Sequence, residues 1–348
     1  MKPTCKGSSL FVVFLIFSSI AISAKDFDTT LEKPDVLVKP DKHRIFLRAL
    51  SGDGAMITPA QEEIRGADNA LTIASVASGS PTLYASTFGP QFQDGKTLVT
   101  STTKFDLEYR FEDKFRFFYE TRKISQDFAY GSVIAGAFNL RSVPVSYVDT
   151  QKRIGLGYFF PVLPMLNLGA SLRRVELQQT TDSNFTGFSS SLGSPSITYF
   201  SDSSQTVKMT GYVPGFGIEF KPLSWFEIHF QHLLYNLKGN DSRFDSLVLT
   251  SRGLSAVALS LGEGGATYKG YSQTIDFVFR YSSWFATRWG YTKENYLKTN
   301  NVYSFSNLDT NPALAIGSSI FVQALSEANV KYGSYNLTIE FSKGFGSN

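Results

Sequence analysis

Along residues 104–111 (KFDLEYRF) apolar and polar positions alternate without a break. Phe105, Leu107, Tyr109 and Phe111 fall on one face, and Asp106, Glu108 and Arg110 on the other. A period of two marks a β-strand with unlike faces. Glu112, Asp113 and Lys114 supply a tight turn, after which Phe115, Phe117 and Tyr119 alternate with Arg116, Glu120 and Arg122. The same unit recurs along the chain: a strand of about ten residues or more, a short turn, a second strand, then a long connection. Short turns fall at 112–114, 161–165, 222–225 and 282–284, and long connections at 126–149, 182–204, 239–266 and 299–328. An opening strand at 43–50, a connection over 51–97 and a closing strand at 331–345 bring the number to about ten. This layout predicts an all-β chain, an antiparallel up-and-down transmembrane β-barrel with short turns at one end and long loops at the other. If apolar runs within the connections are strands too, the number rises to about twelve or fourteen. A soluble sandwich also alternates, but long strands with charge on the second face, behind the leader described next, favour the barrel.

At the N-terminus, residues 10–17 (LFVVFLIF) are apolar, preceded by Lys2 and Lys6 and followed by Ile22, Ser23 and Ala24. This order predicts a signal peptide over 1–24. The competing reading is a membrane anchor, for which the run is short of the ~20 residues a spanning helix needs. Cys5 precedes the apolar run, the wrong side for a lipoprotein. Residues 25–42 are polar, contain Pro34 and Pro40, and predict a periplasmic N-terminal extension. The barrel then occupies 43–348.

Composition narrows the chemistry. With 42% hydrophobic, 15% aromatic and 18% charged residues the chain is not disordered, and a mean hydropathy of −0.09 excludes a helical membrane bundle. One cysteine and three histidines leave little for disulfides, thiolate chemistry or a histidine-built metal site, so no metal or cofactor is expected. Cleavage after Ala24 removes two lysines and no acids, taking the formal net charge from +3 to +1. Neither that balance nor any basic stripe points to a nucleic-acid partner.

The closing segment sets Tyr335, Leu337, Ile339, Phe341 and Phe345 on one face. With the alternation and the turn–loop asymmetry it makes the mature chain resemble a bacterial outer-membrane β-barrel protein, porin-like in layout. This last strand is similar to the terminal strand such proteins use as an assembly signal, although Gly346, Ser347 and Asn348 follow the last aromatic. The resemblance implies residence in the outer membrane with both termini periplasmic and the loops extracellular. It also implies outer-membrane lipid and, during insertion, the barrel assembly machinery as partners. Trp225, Phe226, Trp284, Phe285 and Trp289 cluster at short turns, which predicts an aromatic girdle at the inner interface.

Lipid must meet the apolar face, so the charged face lines the lumen. Parity places there Asp106, Glu108, Arg110, Arg116, Glu120, Arg122, Arg153, Arg173, Glu219, Glu227, His229, Asp276, Arg280, Arg288 and Glu340. Arginines and carboxylates balance, and Arg110, Arg116, Glu219, Glu227, Arg280, Arg288 and Glu340 lie near short turns or the C-terminus, so the cluster should be densest in that half. Two readings compete. One is a salt-bridge plug that closes the barrel; the other is a narrow polar channel, although an ion-selective pore more naturally carries a ring of one sign.

Glu227 and His229 share a face two residues apart, a spacing suited to a general-base pair. It superficially resembles the carboxylate–histidine pairing of ten-stranded outer-membrane proteases, but follows a short turn whereas theirs stands at the outer rim. A lumenal hydrogen bond is the plainer reading, and no enzyme is expected. His232 has the opposite parity and reads as lying near a strand irregularity, and His43 as interfacial. Apolar runs at 70–77, 132–138, 254–261 and 313–325 predict a packed lid, strand extensions or an apolar site beneath the loops. The aspartates within 241–245 read as solvated. Three functions remain open: a porin-like or transport-associated barrel for small polar or hydrophobic solutes, a closed scaffold whose loops bind a surface partner in the manner of an adhesin, and a barrel hydrolase.

Overall fold

The computed structural model describes residues 42–59, 61–62, 84–88, 98–134, 141–189, 197–251, 254–307 and 327–346. The leader at 1–24, nearly all of the 25–42 extension, and the apolar runs at 70–77 and 313–325 lie outside the described residues. The strands are β1 (His43–Ile57), β2 (Tyr84–Phe88), β3 (Leu98–Phe111), β4 (Phe115–Ile134), β5 (Arg141–Leu163) and β6 (Leu166–Ser189). They continue as β7 (Ile197–Leu223), β8 (Phe226–Ser251), β9 (Leu254–Arg280), β10 (Phe285–Asn307) and β11 (Glu327–Phe345). Each wall strand pairs antiparallel with its neighbours, β1 joins β11, and β4 joins β5, which closes the barrel. The short β2 pairs only with the far end of β4, so ten strands form the wall.

Following the pairing register once round the wall returns to the starting strand displaced by about twelve residues. For ten strands that stagger sets a tilt of about 40°. The 27-residue β7 is then roughly 90 Å long and rises roughly 70 Å along the axis. A bilayer's apolar band is only about 25 Å tall.

Side-chain polarity reverses part-way up each strand to match. On β6 the lower outward positions are Leu166, Leu168, Ala170 and Leu172, opposed by inward Arg173; above them Arg174, Glu176 and Gln178 point out while Val175 and Leu177 are buried inside. On β8 the outward Phe226, Ile228, Phe230 and Leu234 give way to Asn236 and Lys238, with Leu233, Tyr235 and Leu237 buried within. The turn-end half is apolar outside and charged inside, as lipid demands. The loop-end half has the polarity of a water-soluble barrel, its core including Val175, Leu177, Val207, Met209, Leu237 and Tyr268.

This reversal corrects the loops expected at 126–149, 182–204 and 239–266, which are strand over much of their length, and at 299–328, whose described residues 299–307 and 327–328 are strand. β8 and β9 are separated by two residues only, and the run at 254–261 is the start of β9. Likewise β1 extends to Ile57 rather than ending at residue 50. A pattern keyed to apolar-out and charged-in loses its phase where the outside becomes wet, although the two-residue period continues. Beyond β1 the chain turns inward: Thr58, Pro59 and Gln61 are buried. Thr58 N donates to Gln61 Oε1 at 2.7 Å and Gln61 N to Thr58 Oγ1 at 3.3 Å, a reciprocal cap.

The turn between β3 and β4 holds two non-glycine residues at positive φ, Glu112 at 51° and Asp113 at 53°, closed by Lys114 N donating to Phe111 O. Such a turn favours Asn-Gly. Replacing Glu112→Asn with Asp113→Gly should therefore stabilise the barrel by about 1 kcal/mol, read as a higher urea midpoint of the refolded protein; an unchanged or lower midpoint would show that the turn carries no strain.

Candidate functional site

Two-residue periodicity on tilted strands sends each charged side chain of the lower half into the lumen, where register decides its neighbours. Arg48 on β1 stands opposite Glu340 on β11 and Asp106 on β3. Glu120 on β4 stands opposite Arg153 on β5, and Glu219 on β7 opposite His229 on β8.

One connected cluster gathers on Glu340, Glu108, Glu219 and Glu227. Glu340 accepts from Arg48 Nε at 2.6 Å, Arg280 Nη1 at 3.1 Å and Arg288 Nε at 2.7 Å. Arg48 reaches on to Glu108 at 2.6 Å and Asp106 at 3.2 Å. Glu108 also takes Arg110 Nε at 2.6 Å, and Glu219 takes Arg116 Nη2 at 2.8 Å and Arg110 Nη2 at 3.4 Å. The Arg116 guanidinium lies 3.6 Å from the Phe159 ring centre and that of Arg110 4.4 Å from Phe46, so aromatic faces cover the cations as well. Arg280 Nε completes the circuit at Glu227, 2.5 Å away. Asp276 sits at its edge, 3.9 Å from Arg288.

A second cluster lies farther from the turns. Glu120 is held by Arg153 at 2.7 Å, Lys104 at 2.9 Å and Arg173 at 3.4 Å. Glu294 receives Arg122 through two parallel bonds of 2.5 and 2.9 Å, the fork-to-fork geometry that fixes a guanidinium most firmly. Above it the lumen becomes aromatic and apolar: Tyr296 packs edge-on against Tyr235 at 5.1 Å and with tilted rings against Tyr268 at 5.0 Å. Higher still, Lys298 pairs with Asp241 at 3.0 Å, and Gln205 Nε2 donates to both Asp241 oxygens.

The structure thus brings the fifteen residues assigned to the lumen into two networks. Sequence reasoning missed Arg48, Lys104 and Glu294, which complete these networks. Arg48 was within reach, since its parity is opposite to that of Ile45, Leu47 and Ala49. Asp241, read as solvated, is instead fully buried, because 239–266 is strand and its side chain faces inward. Among the interface aromatics, Trp225, Trp284 and Trp289 are more than half exposed on the outside at the turn end; Trp284 stacks on Phe341 and Phe226 on Phe277. His232 also faces outward, between Phe216 and Tyr271, beside a gap in the β7–β8 ladder around Pro214. His43 stacks on Phe345 at 5.3 Å at the turn end and bonds Tyr109 Oη at 2.6 Å.

His229 sits between two partners. Its Nε2 is 2.7 Å from Glu227 Oε2, and its Nδ1 is 3.1 Å from Arg288 Nη1. A guanidinium only donates, so Nδ1 accepts and Nε2–H donates to the carboxylate. Both ring nitrogens are engaged, which leaves none to take a proton from a nucleophile.

Between the two networks remains a cavity of about 120 Å³, lined by Arg48, Asp106, Arg122, Arg173 and Glu294 among others. Arg48 Nη2, Arg122 Nε, Arg173 Nε and Asp106 Oδ1 have no protein partner, and the cavity has room for the few waters such atoms require. It is smaller than the ~300 Å³ at which sites for small organic ligands begin.

No family model matches the chain, and no curated protein matches it. Among solved structures it is similar to the outer-membrane protease OmpT of Escherichia coli, at 9% identity and TM-score 0.44, over 91% of this chain and 99% of that one. It is also similar to the Pseudomonas putida toluene transporter TodX, at 11% identity and TM-score 0.32, over 89% and 91% of the two chains. The Ralstonia pickettii toluene transporter TbuX follows at 12% identity and TM-score 0.26, over 88% and 90%. At such identities and scores the assignment to a closed barrel of the outer-membrane type rests on this chain's own strand pairing.

Proposed function

We propose that the protein is a closed outer-membrane barrel that acts from its loop end, as a rigid scaffold holding a partner-binding surface clear of the membrane. The turns face the periplasm and the long half stands outside the cell. The observation that carries this reading is the lumen, filled through both halves: ion pairs below, packed tyrosines and aliphatic side chains above. A diffusion channel needs a continuous water path, and the buried side chains of Tyr147, Tyr268, Leu233 and Leu237, each no more than 2% exposed, stand across it.

A second observation favours binding at the far end. Phe200, Phe244 and Leu261 on β7, β8 and β9 are about two-fifths exposed high on the outer wall, and Phe244 and Leu261 are direct cross-strand partners. Exposed apolar groups above the lipid band suit a protein partner.

The test is conductance of the refolded mature protein in a planar bilayer. Silence is expected at all voltages that the bilayer tolerates, with insertion verified separately by protease protection. Steady, uniform conductance steps from inserted wild-type protein would overturn the closed-scaffold reading in favour of a porin-like channel.

A further inference from the structure

At the level where the outer wall changes from apolar to polar, eight of the ten wall strands carry an exposed basic side chain pointing outward. These are Lys123, Lys152, Arg174 and Lys208 on β4 to β7, and Lys238, Lys269, Lys293 and Lys331 on β8 to β11. Each stands two or four residues beyond the uppermost large apolar or aromatic side chain of the apolar band on its strand, below the separate exposed patch of Phe200, Phe244 and Leu261; Tyr212, Tyr271, Tyr291 and Tyr335 fill that place on β7, β9, β10 and β11.

Register keeps them together. Lys123 lies opposite Thr150, two residues from Lys152, and Lys208 lies opposite Asn240, two residues from Lys238. Lys238 lies opposite Thr267, two residues from Lys269, and Asn295, two residues from Lys293, lies opposite Lys331. The wall rises only about 2.5 Å per residue at this tilt, so the eight form a collar rather than scattered charges. β1 and β3 interrupt it with Asp53 and Thr103.

Among the described residues only Arg174 of the eight has a carboxylate within ion-pair distance, Glu176 at 3.3 Å. The seven lysines have none. Among the described residues the turn end has no such collar: Lys343 and Lys114 are its outward lysines there, and Lys114 stands 4.0 Å from Glu112. Snorkelling at an interface explains a few lysines at either edge, but not a one-sided ring of unpaired ones. A ring of ammonium groups just above an aromatic belt meets the headgroup layer of one leaflet, where phosphate is the group that matches it.

We propose that this collar binds the phosphate headgroups of anionic lipids in the leaflet on the loop side, seating the barrel at a fixed depth. The proposal rests on the reading of the apolar band as lipid-facing, and insertion is therefore scored separately from lipid preference. The full mature protein is refolded into vesicles of phosphatidylcholine with or without phosphatidylglycerol, insertion is read by protease protection, and co-purifying lipid is counted after mild detergent extraction. Wild type should insert in both and retain phosphatidylglycerol over phosphatidylcholine by roughly tenfold or more, less so at high salt.

The variant with Lys123→Gln, Lys152→Gln, Lys208→Gln and Lys238→Gln should insert but lose that preference. Arginine at the same four positions, or glutamine at Lys114 and Lys343, should keep it. Equal retention of both lipids by inserted wild type, or a preference that survives in the glutamine variant, would overturn the proposal. So would displacement of the lipid by millimolar inorganic phosphate at constant ionic strength, which would indicate a site for free anions. Failure of wild type to insert at all would instead remove the lipid-facing reading of the band.

Discussion

Replacing Glu340 by alanine is expected to destabilise the barrel by about 3–5 kcal/mol, read as a fall in the urea midpoint of the refolded protein. Glu340 is fully buried and is the common acceptor for Arg48, Arg280 and Arg288. Its loss affects the three unequally. Arg48 keeps Glu108 and Asp106, and Arg280 keeps Glu227. Arg288 keeps only the distant Asp276 and a neutral His229 nitrogen, so most of the cost comes from one stranded guanidinium in a lumen with little water. The comparison is Glu176→Ala, which removes the exposed pair with Arg174 and should cost no more than about 1 kcal/mol, as solvated pairs do. Equal, small costs at both sites would show that the lumen is wet and the network screened, and would weaken the closed-barrel reading with it.

How much of this arrangement was legible depended on which side of the polarity reversal a residue lies. In the lower half, parity alone places Arg110, Arg116, Glu120, Arg153 and Glu219 inside, because lipid leaves no other face for them. Their pairings were not legible: that Arg122 faces Glu294, 172 residues away, follows from register and stagger, which a strand pattern does not specify. The upper half was misread for a different reason. Once the outside is wet, Val175 and Leu177 are inward while Leu172, three residues before Val175, is outward. Apolar residues change face without any turn in the chain, and a single alternation rule reads the change as the end of the strand. The collar went unnoticed because its members belong to eight separate strands, and only pairing brings them to one level.

The pair Lys298–Asp241 tests whether the two halves are one folding unit. Lys298→Met alone should cost about 3–5 kcal/mol, since it leaves the Asp241 carboxylate buried with Gln205 as its remaining described partner. Adding Asp241→Asn should recover most of that, leaving the double variant within about 1 kcal/mol of wild type, because an amide and a thioether in place of two charges remove the desolvation cost along with the attraction. Both residues lie high in the water-facing half, well above the Glu340 cluster. β8 and β10 nevertheless run unbroken from one to the other, and Tyr235 and Tyr296 pack across the junction. The lowered midpoint of Lys298→Met should therefore appear as a single transition, reported alike by tryptophans at the turn end and by protease cleavage in the upper strands. Early cleavage between residues 239 and 266 with tryptophan emission unchanged would mean that the upper half opens alone, and a scaffold that yields there could not hold a binding surface rigidly away from the membrane.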